Sequence, residues 1–360
     1  MIDNHQTTPP NNYTSSGDLW GAIEQLQNDL AHQLRRHDAG KQIDATQLLQ
    51  AAKTAIERTL GAVAETADPI DYSIRDLIAG YWAHVGKRRE NAPTGFAMLN
   101  EMLGGGIETQ RLVVLLGAPN CGKTTFVHQM ADSIANSGRP VLYVTTEDSP
   151  YDLLAKTLSR IGGVNYTAVK KGWESERARI NAALAMQLDR PSSDRLRYLD
   201  ATSGVTLATI KEKAQAHFAD YPRESGVMVV DYLQRVARAA KMLDGLPYDL
   251  REVVSHVTEQ LRAMACELDC GMVVVASQNR ASGYSTANSA LASAKESGDI
   301  EYTADVIMAL GEDTERRASA SFLQPMVLRI DKNRQGSKDR KLAFDFQGDR
   351  QLFTEVQTRR

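Results

Sequence analysis

At 360 residues, with 42% hydrophobic and 24% charged positions, the chain can bury one full core plus a smaller piece, which excludes the fibrous and disordered classes. A formal net charge of -3 excludes nucleic-acid binding through overall charge and leaves only a locally basic groove or ring surface for that purpose. Three cysteines without a second close Cys or His pair exclude a disulfide framework and a zinc site. With no basic-then-apolar leader and no membrane-length apolar run, a soluble cytoplasmic protein with reduced thiols and no membrane partner is expected.

Residues 1–17, polar and carrying Pro, Asn, Ser and Gly, read as a disordered tail. A helical N-terminal region is expected over 18–72. Ile23, Leu26, Leu30 and Leu34, then Leu49, Ala52, Ile56, Leu60 and Val63, recur at helical spacing around the turn Asp38-Ala39-Gly40. A further helix is expected within 73–90, opening on the capping-box form Ser73-Ile74-Arg75-Asp76 and carrying Ile74, Leu77, Ile78, Tyr81 and Val85 on one face. It serves either as a core helix of the small region or as a linker helix docking on a neighbouring subunit.

From about 91 to 358 helical and strand patterns alternate, which predicts an α/β domain with a mostly parallel sheet and helices on both faces. Strands are expected at 111–116, 140–146, 195–200, 226–232, 271–277, 305–310 and 325–331. Helices are expected near 122–136, 150–161, 174–188, 206–219 and 248–268. Lys341–Phe346 and Gln351–Thr354, around Gly348-Asp349, read as a C-terminal β-hairpin.

The chemistry centres on Gly117-Ala118-Pro119-Asn120-Cys121-Gly122-Lys123-Thr124, a G-x-x-x-x-G-K-[ST] pattern between an apolar run and a helical one. Its glycines let consecutive N–H groups wrap a phosphate, the helix start and Lys123 add positive charge, and Thr124 offers a hydroxyl to Mg²⁺. Thr125 completes the nucleotide-binding set. Val227–Val230 ends in Asp231, an acid expected beside the loop and on the Mg²⁺ shell. Val141–Thr146 ends in Glu147, suited to accept a proton from an attacking water. Asp148 is its rival, and a helix-capping acid is the plain reading of either. Met272–Ser277 leads to Gln278, whose amide is placed to sense a γ-phosphate. Asn279–Ser297, rich in small residues with Arg280 and Lys295, reads as a mobile substrate loop. Lys332-Asn333-Arg334 puts two cations at a strand end, either solubilising or reaching a neighbour's γ-phosphate as an arginine finger does.

Together these stretches resemble the C-terminal RecA-like ATPase domain of DnaB-type replicative helicases. The resemblance is carried by Pro93-Thr94-Gly95-Phe96 with Leu99-Asn100, by Asp231-Tyr232-Leu233-Gln234, by Glu296–Glu301 followed by Ala304-Asp305-Val306, and by the Lys332/Arg334 pair. It covers about residues 90–355. It implies a P-loop ATPase that uses ATP and Mg²⁺, with Glu147 as catalytic glutamate, Gln278 as γ-phosphate sensor and Lys332 and Arg334 acting on the adjacent subunit. It also implies a six-membered ring around single-stranded DNA moving 5′ to 3′ in replication, for which Arg235, Arg238 and Lys295 are the candidate DNA-facing cations. The chain departs from the family in having one residue fewer between Gln278 and Arg280, in Asn120-Cys121 within the loop, and in an N-terminal part much shorter than the usual N-domain, so primase binding does not carry over. Two other classes compete. One is a RecA- or KaiC-like ring or filament ATPase that unwinds nothing. The other is a nucleotide-stabilised scaffold, against which the intact hydrolytic set argues.

Overall fold

The computed structural model describes residues 72–87, 91–246, 249–277, 298–318, 320–334, 336 and 340–356. The tail and helices expected over 1–71, together with Gln278, Arg280, Lys295 and the rest of the 279–297 loop, lie outside the described residues. The chain divides at Lys87/Arg88 into two units. In the first, helix α1 (Ile74–Lys87) starts directly after Ser73, whose carbonyl accepts the Leu77 N–H at 3.1 Å. Ile74, Leu77, Ile78 and Tyr81 share its apolar stripe with Trp82, which meets Tyr81 edge to face. Val85, assigned to the same stripe, has a side chain outside the described set.

In the second unit the elements run α2 (Ala97–Met102), β1 (Leu112–Gly117), α3 (Lys123–Asn136), β2 (Val141–Thr145), α4 (Pro150–Gly162), α5 (Arg177–Leu188), β3 (Leu196–Asp200), α6 (Leu207–Ala219), β4 (Val227–Asp231), α7 (Leu233–Leu243), α8 (Leu250–Glu267), β5 (Gly271–Ser277), α9 (Gly298–Thr303), β6 (Val306–Glu312), β7 (Gln324–Asn333), β8 (Arg340–Gln347) and β9 (Leu352–Glu355). They build one nine-stranded sheet in the order β3-β2-β4-β5-β1-β6-β7-β8-β9. The first six strands are parallel and the last three antiparallel. Strands β1, β2 and β4 are buried along their whole length, because helices cover both faces; this is why they read as unbroken apolar runs rather than alternating ones.

Alternate residues feed two cores. Leu112, Val114, Met228, Val230, Met272 and Val274 pack under α6, α7 and α8. Val113, Leu115, Tyr143, Val229, Val273 and Val275 pack under Phe126, Met130 and Ile134 of α3. On that second face Phe96 stacks on Phe126 at 4.9 Å, and Phe344 and Phe353 of the terminal strands meet Phe126 edge on. Thr94 anchors the turn before α2, its amide and hydroxyl both donating to Asn100 Oδ1 at 2.8 and 2.7 Å.

The strand that ends in Asp231 does not pair with the phosphate-loop strand, since β5 lies between β4 and β1. Helix α7 was not anticipated, although Leu233, Val236, Ala237 and Ala240 show the i, i+3, i+4, i+7 spacing and are all buried. The expected terminal hairpin is present as β8 and β9, joined through β7 to the rest of the sheet. Among the described residues no helix is long and apolar enough to cross a membrane.

Candidate nucleotide site

Strand β1 ends at Gly117, where an added Cβ would lie 2.7 Å from both Cys121 Sγ and the Leu310 carbonyl oxygen, so no side chain fits there. Asn120 and Gly122 have φ of 63° and 86°. Such turns of handedness in a short loop make anion-binding concavities of backbone N–H groups. Helix α3 follows with Gly122 as N-cap and no side-chain cap, which leaves its first-turn donors for an anion. Lys123 Nζ donates to the carbonyls of Gly117 at 2.9 Å and Ala118 at 2.7 Å, so its charge sits within the loop. Burial pushes the Cys121 thiol up, against the lowering effect of Lys123, and keeps it neutral. Thr125 turns away: its hydroxyl donates to Gln351 Oε1 at 2.8 Å, so its side chain serves the terminal strands rather than the loop.

Although β5 intervenes, the helix α3 that opens at the loop packs against β4 as well as β1, and the Thr124 hydroxyl comes near enough to the Asp231 carboxylate to favour its charged form. Burial raises the Asp231 carboxyl above its ordinary value, offset by the hydrogen bonds from Tyr143 and Thr124. The Tyr143 hydroxyl donates to Asp231 Oδ2 at 2.7 Å. Burial, then the Asp231 charge, holds that phenol well above its usual range and so protonated.

The end of β2 is tied to the end of β4 through Thr146. Its N–H and hydroxyl donate to the Asp231 carbonyl at 2.8 and 2.9 Å, and its Oγ1 accepts the Tyr232 N–H at 3.0 Å. The next residue after this tie, Glu147, has an exposed side chain. The rival Asp148 is paired with Lys156 Nζ at 2.8 Å, and its charge reaches Asp231. Neither acid caps α4, since Ser149 does so by accepting the Asp152 N–H at 3.1 Å. On β5, Ser277 pairs with Gly117, and its backbone is held at both N–H and carbonyl by the Gln234 amide, each at 3.2 Å. Arg235 is exposed and donates to the Thr146 carbonyl, one residue before Glu147. Arg238 is exposed on the same helix.

Lys332 and Arg334 are not brought to this end of the sheet. Gly117 is level with Leu310 and Leu328, whereas Val113 is level with Val306 and Asn333, four residues back along the strands. At about 3.3 Å per residue the pair lies at least about 13 Å from its own loop, at the opposite edge. There Arg334 donates to the Asp305 carboxylate at 3.3 Å and the Tyr302 carbonyl at 2.6 Å, and Lys332 donates to the Glu301 carbonyl. Asp305 also receives Arg111, Arg262 and the Leu112 N–H. Burial, then the Arg334 charge, lowers Lys332 from its ordinary value. Arg334 lines an open cavity of about 750 Å³ together with Arg111, Arg340 and Lys341.

Sequence reading missed Tyr143, Thr146, Gln234 and Asp305. For Tyr143 the signal was a polar tip inside a fully apolar strand, a group that must find a partner when buried. Its neighbour His128, four residues after Thr124, shares a 2.9 Å hydrogen bond with the Tyr198 hydroxyl. Burial, then Arg160 and Lys156, holds the His128 ring well below 6.5 and hence neutral. The unfolded chain takes up that proton first as pH falls, so His128 contributes stability that is lost from about pH 6.5 downward, at up to about 1.4 kcal/mol per pH unit. Urea unfolding of wild type and His128→Gln from pH 8 to 5 is expected to show the steeper acid loss in wild type; parallel curves would exclude this role.

The family model described as "DnaB-like helicase C terminal domain" matches residues 92–355. The chain is 27% identical to the replicative DNA helicase DnaB of Pasteurella multocida (strain Pm70) over 263 residues, which is 70% of this chain and 53% of that one. It is 29% identical to that of Treponema pallidum (strain Nichols) over 228 residues, 61% of this chain and 48% of the other. The chain thus spans about half the length of the curated relatives it matches. In fold it is similar to the structure titled "ATPase Domain of G40P", with a TM-score of 0.67 at 19% identity over 80% of this chain and all of that one. It is also similar to "The Structure Of A DnaB-Like Replicative Helicase And Its Interactions With Primase", with a TM-score of 0.71 at 18% identity over 94% of this chain and 76% of the other.

Proposed function

Since the chain belongs to the DnaB-like helicase C-terminal domain family, we propose that it is the ATP-hydrolysing motor of a DNA helicase, working as a hexameric ring on single-stranded DNA in replication. What carries the reading is the division of the hydrolytic set. The phosphate loop, Asp231 and Glu147 share one end of the sheet, while Lys332 and Arg334 sit at the other, too far to serve their own loop. Such a set is complete only where a second copy brings its Lys332 and Arg334 to this copy's nucleotide, and repetition of that contact closes a ring.

In this reading the loop N–H groups and Lys123 hold the β- and γ-phosphates, and Glu147 orients the attacking water and accepts its proton. The neighbour's two cations stabilise charge on the γ-phosphoryl oxygens. Thr124 and Asp231 would hold Mg²⁺, which supplies charge neutralisation on the phosphates. A hydroxyl and one carboxylate fit this ion, which takes its other ligands from water and phosphate. Gln278, next after the clamped Ser277, senses the γ-phosphate, and Arg235, Arg238 and Lys295 grip DNA phosphates.

Opening a base-pair step costs about 1.4 kcal/mol on average, well below what ATP hydrolysis supplies, so grip rather than fuel limits unwinding. That grip, being mainly electrostatic, weakens steeply with salt. The test is a forked duplex with both tails compared with duplexes carrying one. ATP-dependent separation of the fork, dependence on the 5′ tail and loss of both in Lys123→Ala are expected. DNA-stimulated ATPase without strand separation, in a protein shown to be hexameric, would overturn the helicase assignment.

A further inference from the structure

Tyr143 stands two residues before Thr145, which is level with Asp231, so it lies diagonally across from that acid on the face covered by α3. Its ring is fully buried, and the 2.7 Å bond to Asp231 Oδ2 is made entirely inside the core. Two rings fix its position. His128 meets it edge on at 5.7 Å, Tyr198 lies 5.9 Å away, and Tyr198 and His128 are hydrogen-bonded to each other. Because His128 follows Thr124 by four residues, the helix that carries the Thr124 hydroxyl also carries one wall of the Tyr143 slot. One oxygen of the Asp231 carboxylate is therefore held from inside the core by the Tyr143 hydroxyl, on the side away from the loop.

We propose that Tyr143 is a positioning residue, whose hydroxyl presets the Asp231 carboxylate against Thr124 so that the pair is ready for the divalent cation of the nucleotide. This rests on the nucleotide-site reading given above. A group that holds a ligand-bearing carboxylate changes metal affinity by about 10-fold or more when removed, whereas a group that only fills the core changes stability alone.

The probe is mant-ADP, titrated onto the full chain by fluorescence at fixed protein and increasing MgCl2, with thermal melting alongside. In Tyr143→Phe, which keeps the ring and deletes one oxygen, the Mg²⁺ concentration for half-maximal binding is expected to rise about 10-fold. Affinity for mant-ADP in EDTA is expected to stay at the wild-type value. Tyr198→Phe removes a hydroxyl from the same cluster without touching Asp231 and is expected to leave the Mg²⁺ midpoint unchanged even where its melting temperature falls. An unchanged midpoint in Tyr143→Phe overturns the proposal whatever its melting temperature, and so does an equal shift in Tyr198→Phe. A wild-type protein whose mant-ADP binding ignores Mg²⁺, or is untouched by Lys123→Ala, overturns the nucleotide-site reading itself and this proposal with it.

Discussion

Arg334→Ala is expected to lower ATP turnover by about 10³-fold or more while leaving nucleotide binding at the chain's own loop intact. The reason is geometric: Arg334 lies at the far end of the sheet from Gly117, too far to touch a nucleotide at its own loop. A Lys123→Ala chain has the opposite defect, a poor loop beside a sound finger. Mixing the two inactive proteins creates interfaces where the intact loop of one faces the intact Arg334 of the other, and part of the ATPase should return. No recovery in assemblies shown by native mass to contain both chains would count against the shared site. Arg334 now bonds Asp305 and the Tyr302 carbonyl, so acting in trans requires it to exchange those partners for phosphate oxygens. The stronger charge of a γ-phosphate favours that exchange.

Glu147→Gln is expected to keep ATP affinity and to lower kcat by about 10²–10⁴-fold, because only proton acceptance needs the ionised carboxylate. Asp148→Asn separates the two acids. Its carboxylate is held by the buried Lys156, so its loss leaves that cation without its partner and lowers stability, with turnover near wild type. Measuring single-turnover hydrolysis and ATP binding on both variants decides between them. Should Asp148→Asn lose hydrolysis and Glu147→Gln retain it, the roles are reversed.

The alternation of apolar runs and helical spacings, the phosphate-loop pattern and the acids ending two strands were all legible from the chain itself. Each is set within a few residues: a buried parallel strand must be apolar on both faces, a phosphate cradle must have glycine where no Cβ fits, and an apolar run that ends in a carboxylate carries it to the end of its strand. Pairing order among the central strands was not legible, because β1, β2, β4 and β5 are all buried and apolar. Nothing local in Val227–Asp231 or Gly271–Ser277 says that β5 separates β4 from β1. The direction in which Lys332 and Arg334 leave the sheet depends on β7 running antiparallel to β6, a consequence of the turn before it rather than of its own composition. The same holds for side chains that act through one another. That Tyr143 reaches Asp231, that Lys156 claims Asp148, and that Arg235 ties α7 to the residue before Glu147 are contacts between positions 88, 8 and 89 residues apart along the chain. Sequence pattern determined which chemical groups the chain carries to the ligand edge. Only tertiary packing, by choosing strand order and direction, decided which of them meet at one end of the sheet and which, like Lys332 and Arg334, lie at the other.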